Sequence, residues 1–105
     1  MKFAYGVCAS VKGACHELRV ATHLMSLGWE VCRNMAPCGM CDIIAYRNGI
    51  CVTIDVTANA TYNPKTYIKY NTKPNSNVHV FAGIDKNHNV TYVLRPGCPV
   101  KKFPD

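Results

Sequence analysis

Apolar residues recur at helical spacing from about Val11 to Leu27, where Ala14, Leu18, Ala21 and Met25 form one row beside Val20, Leu24 and Leu27. Gly28 follows where a C-terminal cap belongs. At about 100° per residue, positions 17, 20, 21 and 24 fall within about 60° of one another. Glu17 therefore shares the packing face with Val20, Ala21 and Leu24, while Arg19, His23 and Ser26 point elsewhere. A carboxylate at the edge of an apolar stripe ordinarily snorkels to water, so Glu17 needs a second reason before it counts as functional.

After Gly28 the pattern changes to short runs with the strand period. Trp29–Asn34, Cys41–Tyr46 and Ile50–Ala58 are predicted strands, the first two separated by the turn Met35-Ala36-Pro37-Cys38-Gly39-Met40. The second and third flank Arg47-Asn48-Gly49, whose Asn-Gly pair is a strong hairpin signal. The polar stretch Asn59–Asn77, with Pro64 and Pro74, reads as a structured loop. Strands resume at Val78–Ile84 and Val90–Arg95 around the turn Asp85–Asn89, and 96–105 is predicted to be an irregular basic tail carrying Lys101 and Lys102. The whole is an α/β (α+β) arrangement: an N-terminal helix, a three-strand meander, then further strands.

Length narrows this to one domain over 1–105, and a hydrophobic content of 49% is ample for a single core. No apolar run approaches the roughly 18 residues of a membrane span, and the apolar residues before Lys12 are too few for a signal peptide. A soluble, intracellular (cytoplasmic) protein without a membrane partner is expected. The seven cysteines are odd in number and mostly fall inside predicted elements, so reduced and mostly buried thiols are expected. A net charge of +6 favours a polyanionic partner, nucleic acid before a membrane surface.

Of the six acidic residues, Glu17, Asp42 and Asp55 have apolar neighbours. With Asn48-Gly49 at the turn centre, the hairpin register pairs Tyr46 with Cys51 and Asp42 with Asp55. Cross-strand Cβ atoms are about 4.5–5.5 Å apart, so the two carboxylates repel unless one is protonated or a cation lies between them. Mg²⁺ is suited to that place, because it binds through one or two carboxylates, waters and phosphate oxygens. A bulge or a shifted register would instead leave two solvated strand-end acids. The helix that carries Glu17 should cover the same sheet and bring a third carboxylate close.

Lys12-Gly13, Glu17-Leu18, Val20-Ala21, Leu24, Gly28-Trp29-Glu30-Val31, Cys41-Asp42-Ile43-Ile44 and Ile54-Asp55-Val56-Thr57 resemble, in order and spacing, the core of PD-(D/E)XK nucleases. The likeness is to the small homing-endonuclease and Holliday-junction-resolvase-like branches, and it covers about residues 12–58. It implies a restriction-endonuclease-like core, with a mixed sheet flanked by helices, and Mg²⁺- or Mn²⁺-dependent hydrolysis of DNA phosphodiesters. By position it implies Asp42 and Asp55 as metal ligands, the Val56 carbonyl as a further oxygen, and Glu17 as the acid that orients the attacking water. A homodimer or higher oligomer is expected, since 105 residues offer little surface for gripping both strands of a duplex.

Thr57 departs from the resemblance, standing where the family has Lys. Residues 55 and 57 share a strand face, so the Thr57 hydroxyl can hold a water, but it supplies no charge to the transition state. Lys65, Lys69 and Lys12 are candidates to bring a cation from elsewhere, and a second metal ion is another route. Loss of catalysis, leaving a DNA-binding protein of nuclease fold, is the alternative. The segment 62–73 interleaves Tyr62, Tyr67 and Tyr70 with Lys65, Lys69 and Lys73. It suits phosphate contact and base stacking on double-stranded or branched DNA, with Lys12, Arg33 and Arg47 widening the basic surface.

A reading from another class rests on Cys38-Gly39-Met40-Cys41. Two thiolates at that spacing chelate Zn²⁺, with Cys8, Cys15, His16, Cys32 or Cys98 to complete the set, and the chain would then be a zinc-stabilised nucleic-acid-binding module. The second short pair that such sites normally carry is absent from the sequence. A redox role is disfavoured further, because the motif does not open a helix after a strand. The four histidines show no ligand spacing, and each is expected to be a surface or half-buried residue.

Overall fold

The computed structural model describes residues 2–35, 41–57, 78–85 and 87–105, with only the backbone of Thr57. Helix α1 (Ala9–Ser26) precedes β1 (Glu30–Arg33), β2 (Ile43–Arg47), β3 (Ile50–Thr57), β4 (Val80–Ile84) and β5 (Val90–Leu94), each close to the run its periodicity predicts. Helix α1 ends in a Schellman motif: Gly28 N–H donates to the Met25 carbonyl and Trp29 N–H to the Leu24 carbonyl, both at 3.1 Å. The motif needs a left-handed residue after the cap, and Gly28 supplies it at φ +94°.

The five strands form one sheet in chain order, with β3 and β4 parallel and the other neighbours antiparallel. Asn48 and Gly49 have φ of +53° and +80°, as a two-residue hairpin turn of the primed type requires. That turn fixes the β2–β3 register, which pairs Tyr46 with Cys51 and Ile43 with Ile54. The parallel step from β3 to β4 cannot be made by a hairpin, and it falls at the long interval between Thr57 and Val78 in the chain.

Helix α1 covers one face of the sheet. Val20, Ala21 and Leu24 bury against Ile43, Ala45, Val52, Ile54, Val80 and Ala82, with Trp29 and Phe103 closing one end. Glu17 sits at the margin of this stripe, its side chain 19% exposed. The tail is packed against the core. Phe103 packs on the rings of Trp29 and Tyr92 at centroid distances of 5.0 and 5.2 Å, and Trp29 Nε1 donates to the Pro104 carbonyl at 2.6 Å.

Two expectations are corrected. The described cysteines are free thiols, but Cys8, Cys32 and Cys51 are exposed and only Cys41 among them is buried. Cys32 and Cys51 lie in strands yet on the face away from α1, where a strand position is no guarantee of burial. Of the histidines, expected at the surface or half-buried, His16 departs from expectation. His16 is buried beneath Phe3, and its burial, with the charge of Arg19, holds its pKa below the ordinary value. His23 Nδ1 and the Tyr92 hydroxyl share a hydrogen bond of 2.8 Å.

Candidate active site

Asp42 and Asp55 meet at the sheet end formed by the exit of β1, the entrance of β2 and the exit of β3. Asp42 is one residue outside β2 and is fixed on three sides. Its N–H donates to the Ile54 carbonyl at 3.1 Å, its carbonyl accepts the Asn34 N–H at 2.9 Å, and its Oδ2 accepts the Val56 N–H at 2.8 Å. Asn34 further holds this corner by donating from Nδ2 to the Cys41 carbonyl at 2.9 Å. A side-chain carboxylate thus replaces a main-chain carbonyl as the acceptor for β3 just where β2 begins.

The electrostatics follow from this placement. Asp42 is pushed up to about 6, first by burial and then by the charges of Asp55 and Glu17, against the opposing bond from Val56. Burial also raises Asp55, while the Asp42 N–H and the Arg95 guanidinium oppose the shift. The three acids therefore gather at one end of the sheet, but not on one face. Ile54 and Val56 point to the α1 side, so alternation turns Asp55 to the other side, and Asp42 lies between Asp55 and Glu17. Glu17 is held by Arg33 of β1, whose Nη2 donates to Oε2 at 3.0 Å.

The basic candidates divide. Arg33 serves Glu17 in this way. Arg47 lies at the far end of β2, its guanidinium 4.2 Å from the Trp29 ring centroid and donating to the Leu27 carbonyl at 3.1 Å, so it is committed to closing the helix end. Lys12 is exposed on the first turns of α1, 5.7 Å from the Phe3 ring centroid. Tyr62, Lys65, Tyr67, Lys69, Tyr70 and Lys73, and the Thr57 side chain, lie outside the described residues.

Cys38 does too. Its partner in the zinc reading, Cys41, is buried next to the acids, and burial together with the charges of Asp55 and Asp42 raises its pKa. This disfavours the thiolate that zinc requires. Asn34 and Arg95 are the residues of this corner that the sequence reading missed. Neither belongs to a motif, and each is brought in by strand pairing alone.

A helix laid on one face of a mixed five-stranded sheet, with acids at one strand end, is an α+β fold. Among solved structures the chain is similar to the bacterial homing endonuclease I-Ssp6803I, with a TM-score of 0.59 and 11% identity over 83% of this chain and 65% of that one. The likeness is one of fold, and this chain spans somewhat under two thirds of that structure's length. No family model and no curated protein matches the sequence.

Proposed function

We propose that the chain is an endonuclease that hydrolyses DNA phosphodiester bonds with a divalent cation held by Asp42 and Asp55. The observation that carries this reading is the pair of half-buried carboxylates at one sheet end, where burial first, and then the charges of Asp55 and Glu17, lift Asp42 to about 6. Such a site lowers its energy either by keeping a proton or by taking a cation. The donor set fits Mg²⁺ or Mn²⁺, being hard carboxylate oxygen, and a site with two protein ligands leaves positions for water and a phosphate oxygen. Among the described residues no group of three or more Asp, Glu, His or Cys side chains is placed to hold a metal ion, so the proposed protein ligands are the Asp42–Asp55 pair alone.

When bound, the cation supplies Lewis-acid polarisation of the phosphate and a lowered pKa for water. The protein residues do the rest. Val56 and Asn34 hold Asp42 in place, leaving its second oxygen as the ligand. Glu17 comes close enough to Asp42 for a hydrogen bond when one of them is protonated, and its carboxylate is suited to accept a proton from an attacking water. Arg33 holds Glu17 oriented for that task through the 3.0 Å contact of Nη2 with Oε2. Lys12, exposed on the first turns of α1, and the tyrosine–lysine segment 62–73 contribute phosphate contacts, and a homodimer places a second such site on the opposite strand.

The test is cleavage of supercoiled, linear and branched DNA by the purified chain with Mg²⁺ or Mn²⁺. Activity that needs the cation and disappears in Asp42→Asn and Asp55→Asn is expected. Equal activity in those variants rejects the site, and binding without cleavage by the wild type makes the chain a DNA-binding protein of nuclease fold.

A further inference from the structure

The turn between β4 and β5 leaves the sheet at the end that carries the acids, because β3 and β4 run parallel. Thr57 stands beside Gly83, and Gly83 beside Thr91, so His88 and Asn89 project past that end, two strand spacings or about 10 Å from β3. Asp85 builds the turn from inside. Its Oδ1 accepts the Asn87 N–H at 2.8 Å and the Asn89 N–H at 3.0 Å, and its carbonyl accepts the His88 N–H at 3.0 Å. The turn is then tied to α1, where Arg19 donates to the His88 carbonyl from Nε, at 3.2 Å, and from Nη2.

Between α1 and this turn lies a groove of about 680 Å³, walled by Leu18, Arg19, Thr22 and His23 on one side and by Asn89 and Val90 on the other. Leu18 and Val90 give it an apolar floor, and none of its described lining residues is acidic. Its fixed positive charge is Arg19. Two of the Arg19 nitrogens hold His88, while Nη1 has no hydrogen-bond partner among the described residues. A guanidinium pinned at one edge is pre-organised to bind phosphate oxygens with the other. His23 adds a donor. Its Nδ1 shares a 2.8 Å hydrogen bond with the Tyr92 hydroxyl and its ring stacks on that of Tyr92, so Nε2 is the nitrogen left to the groove. Burial pushes the Tyr92 pKa up, so the phenol keeps a proton to donate to Nδ1, and the tautomer that accepts it carries its own proton on Nε2.

We infer that this groove is a binding subsite for the DNA strand that flanks the reacting phosphate, taking a backbone phosphate on Arg19 Nη1 and His23 Nε2 and the attached sugar on Leu18 and Val90. Charge selects an anionic occupant, and position selects DNA. The groove lies at the sheet end of Asp42 and Asp55, and about 10 Å corresponds to roughly three nucleotide steps of about 3.4 Å along one strand. The catalytic consequence rests on the nuclease reading, whereas binding in the groove is tested without turnover.

The experiment uses the full chain with Arg19→Gln, Thr22→Glu and Thr22→Gln. Thr22 is exposed and its hydroxyl donates back to the Leu18 carbonyl at 2.8 Å, so Thr22→Glu sets a carboxylate in the groove without touching the core. Affinity for a short duplex is measured in Ca²⁺ at several salt concentrations, with thymidine monophosphate as competitor, and cleavage with Mg²⁺ gives kcat and KM. Arg19→Gln and Thr22→Glu each bind the duplex roughly tenfold or more weakly, as on loss of one charge-assisted bond. For Arg19→Gln the slope of log affinity against log salt becomes shallower by about 0.9, the value of one phosphate contact. Thr22→Gln binds as the wild type does. In the two weakened variants KM rises while kcat holds, because a contact several nucleotides from the reacting bond is made alike in the ground and transition states.

Wild-type affinity in Thr22→Glu, together with a lowered melting point in Arg19→Gln, reduces the arginine to a tie for the β4–β5 turn and overturns the inference. An unchanged salt slope in Arg19→Gln overturns it too. So does thymidine monophosphate that displaces the duplex at equal concentration, which makes the groove a site for free nucleotides. If the wild type cleaves no DNA, the nuclease reading fails, while the affinities in Ca²⁺ still decide whether the groove holds a DNA strand.

Discussion

The Asp42 carboxylate accepts the Val56 N–H at 2.8 Å, so the first acid of the hairpin holds in place the strand that presents the second. Its structural and chemical tasks can be separated by substitution. Asp42→Asn keeps a side-chain oxygen for Val56 and removes a repelling charge, so its melting point at pH 7 should equal or exceed that of the wild type. Asp42→Ala leaves a half-buried N–H without its acceptor, at a cost of about 1–2 kcal/mol. Both should lose at least about 100-fold in cleavage, a loss of charge stabilisation. Thermal unfolding beside a cleavage assay checks this. A large stability loss in the Asn variant would mean that the charge of Asp42 is what holds the corner together.

The raised pKa of Asp42 fixes a direction for pH. Its value of about 6 lies above the ordinary value of about 3.9, so between these limits the folded chain keeps a proton that the unfolded chain has released. The contribution of Asp42 to stability therefore declines as pH rises through that window, and the full penalty applies above about pH 6. Asp55 acts in the same direction. In metal-free solution the melting point of the wild type should fall relative to Asp42→Asn on going from about pH 4 to 7, and Mg²⁺ should close the gap. Mn²⁺ affinity measured by calorimetry should rise roughly tenfold per pH unit below about 6 and level off above, because binding must displace the proton. A flat affinity over that range would remove Asp42 from the ligand set.

What the sequence made legible is local or is fixed by a local signal. The period of α1, the Gly28 stop and the Asn48-Gly49 turn each follow from a few neighbouring residues, and that turn sets a register that carries as far as Ile43 and Ile54. The meeting of Asp42 and Asp55 was legible for this reason. Arg95 was not, because its place depends on β4 lying parallel to β3 and on β5 pairing back. Those are long-range choices with no signal in the residues themselves. Glu17 shows an intermediate case: helix geometry put it on the packing face, but its capture by Arg33 and its separation from Asp55 by the sheet depend on which face each strand residue takes. The exposed Cys32 and Cys51 show the limit of reading burial from residue type alone.

The Glu17–Arg33 pair is half in water, with side chains 19% and 42% exposed, and such pairs contribute at most about 1 kcal/mol. Glu17→Gln and Arg33→Ala should thus change the melting point little. If Glu17 handles the attacking water, Glu17→Gln should lower the maximal cleavage rate by roughly 10²-fold or more, in the range of general-base losses, with Mn²⁺ affinity altered less than in Asp42→Asn. Single-turnover kinetics and calorimetry on the same preparations separate the two effects. A Glu17→Gln enzyme with normal rate would confine Glu17 to the structural pair.

The tail gives a prediction independent of any chemistry. Phe103 is only 9% exposed and seals the end of the core that lies away from the carboxylates, where Trp29 is also tied to Pro104. Phe103→Ala should cost about 3 kcal/mol, at the low end for buried phenylalanine because the site borders solvent. In a domain of this size that corresponds to a fall in melting point of roughly 10–20 °C. The chain has one tryptophan, so its fluorescence reports this end alone and should shift to the red in the folded variant as water reaches the indole. Lys101→Ala and Lys102→Ala, at exposed positions, should leave both signals unchanged. Cleavage per folded molecule, measured well below the melting point, should also persist in Phe103→Ala, because Asp42 and Asp55 are held by Asn34, Ile54 and Val56 at the opposite end of the sheet. Loss of cleavage in a variant that remains folded would show that the two ends are coupled through β2 and β3.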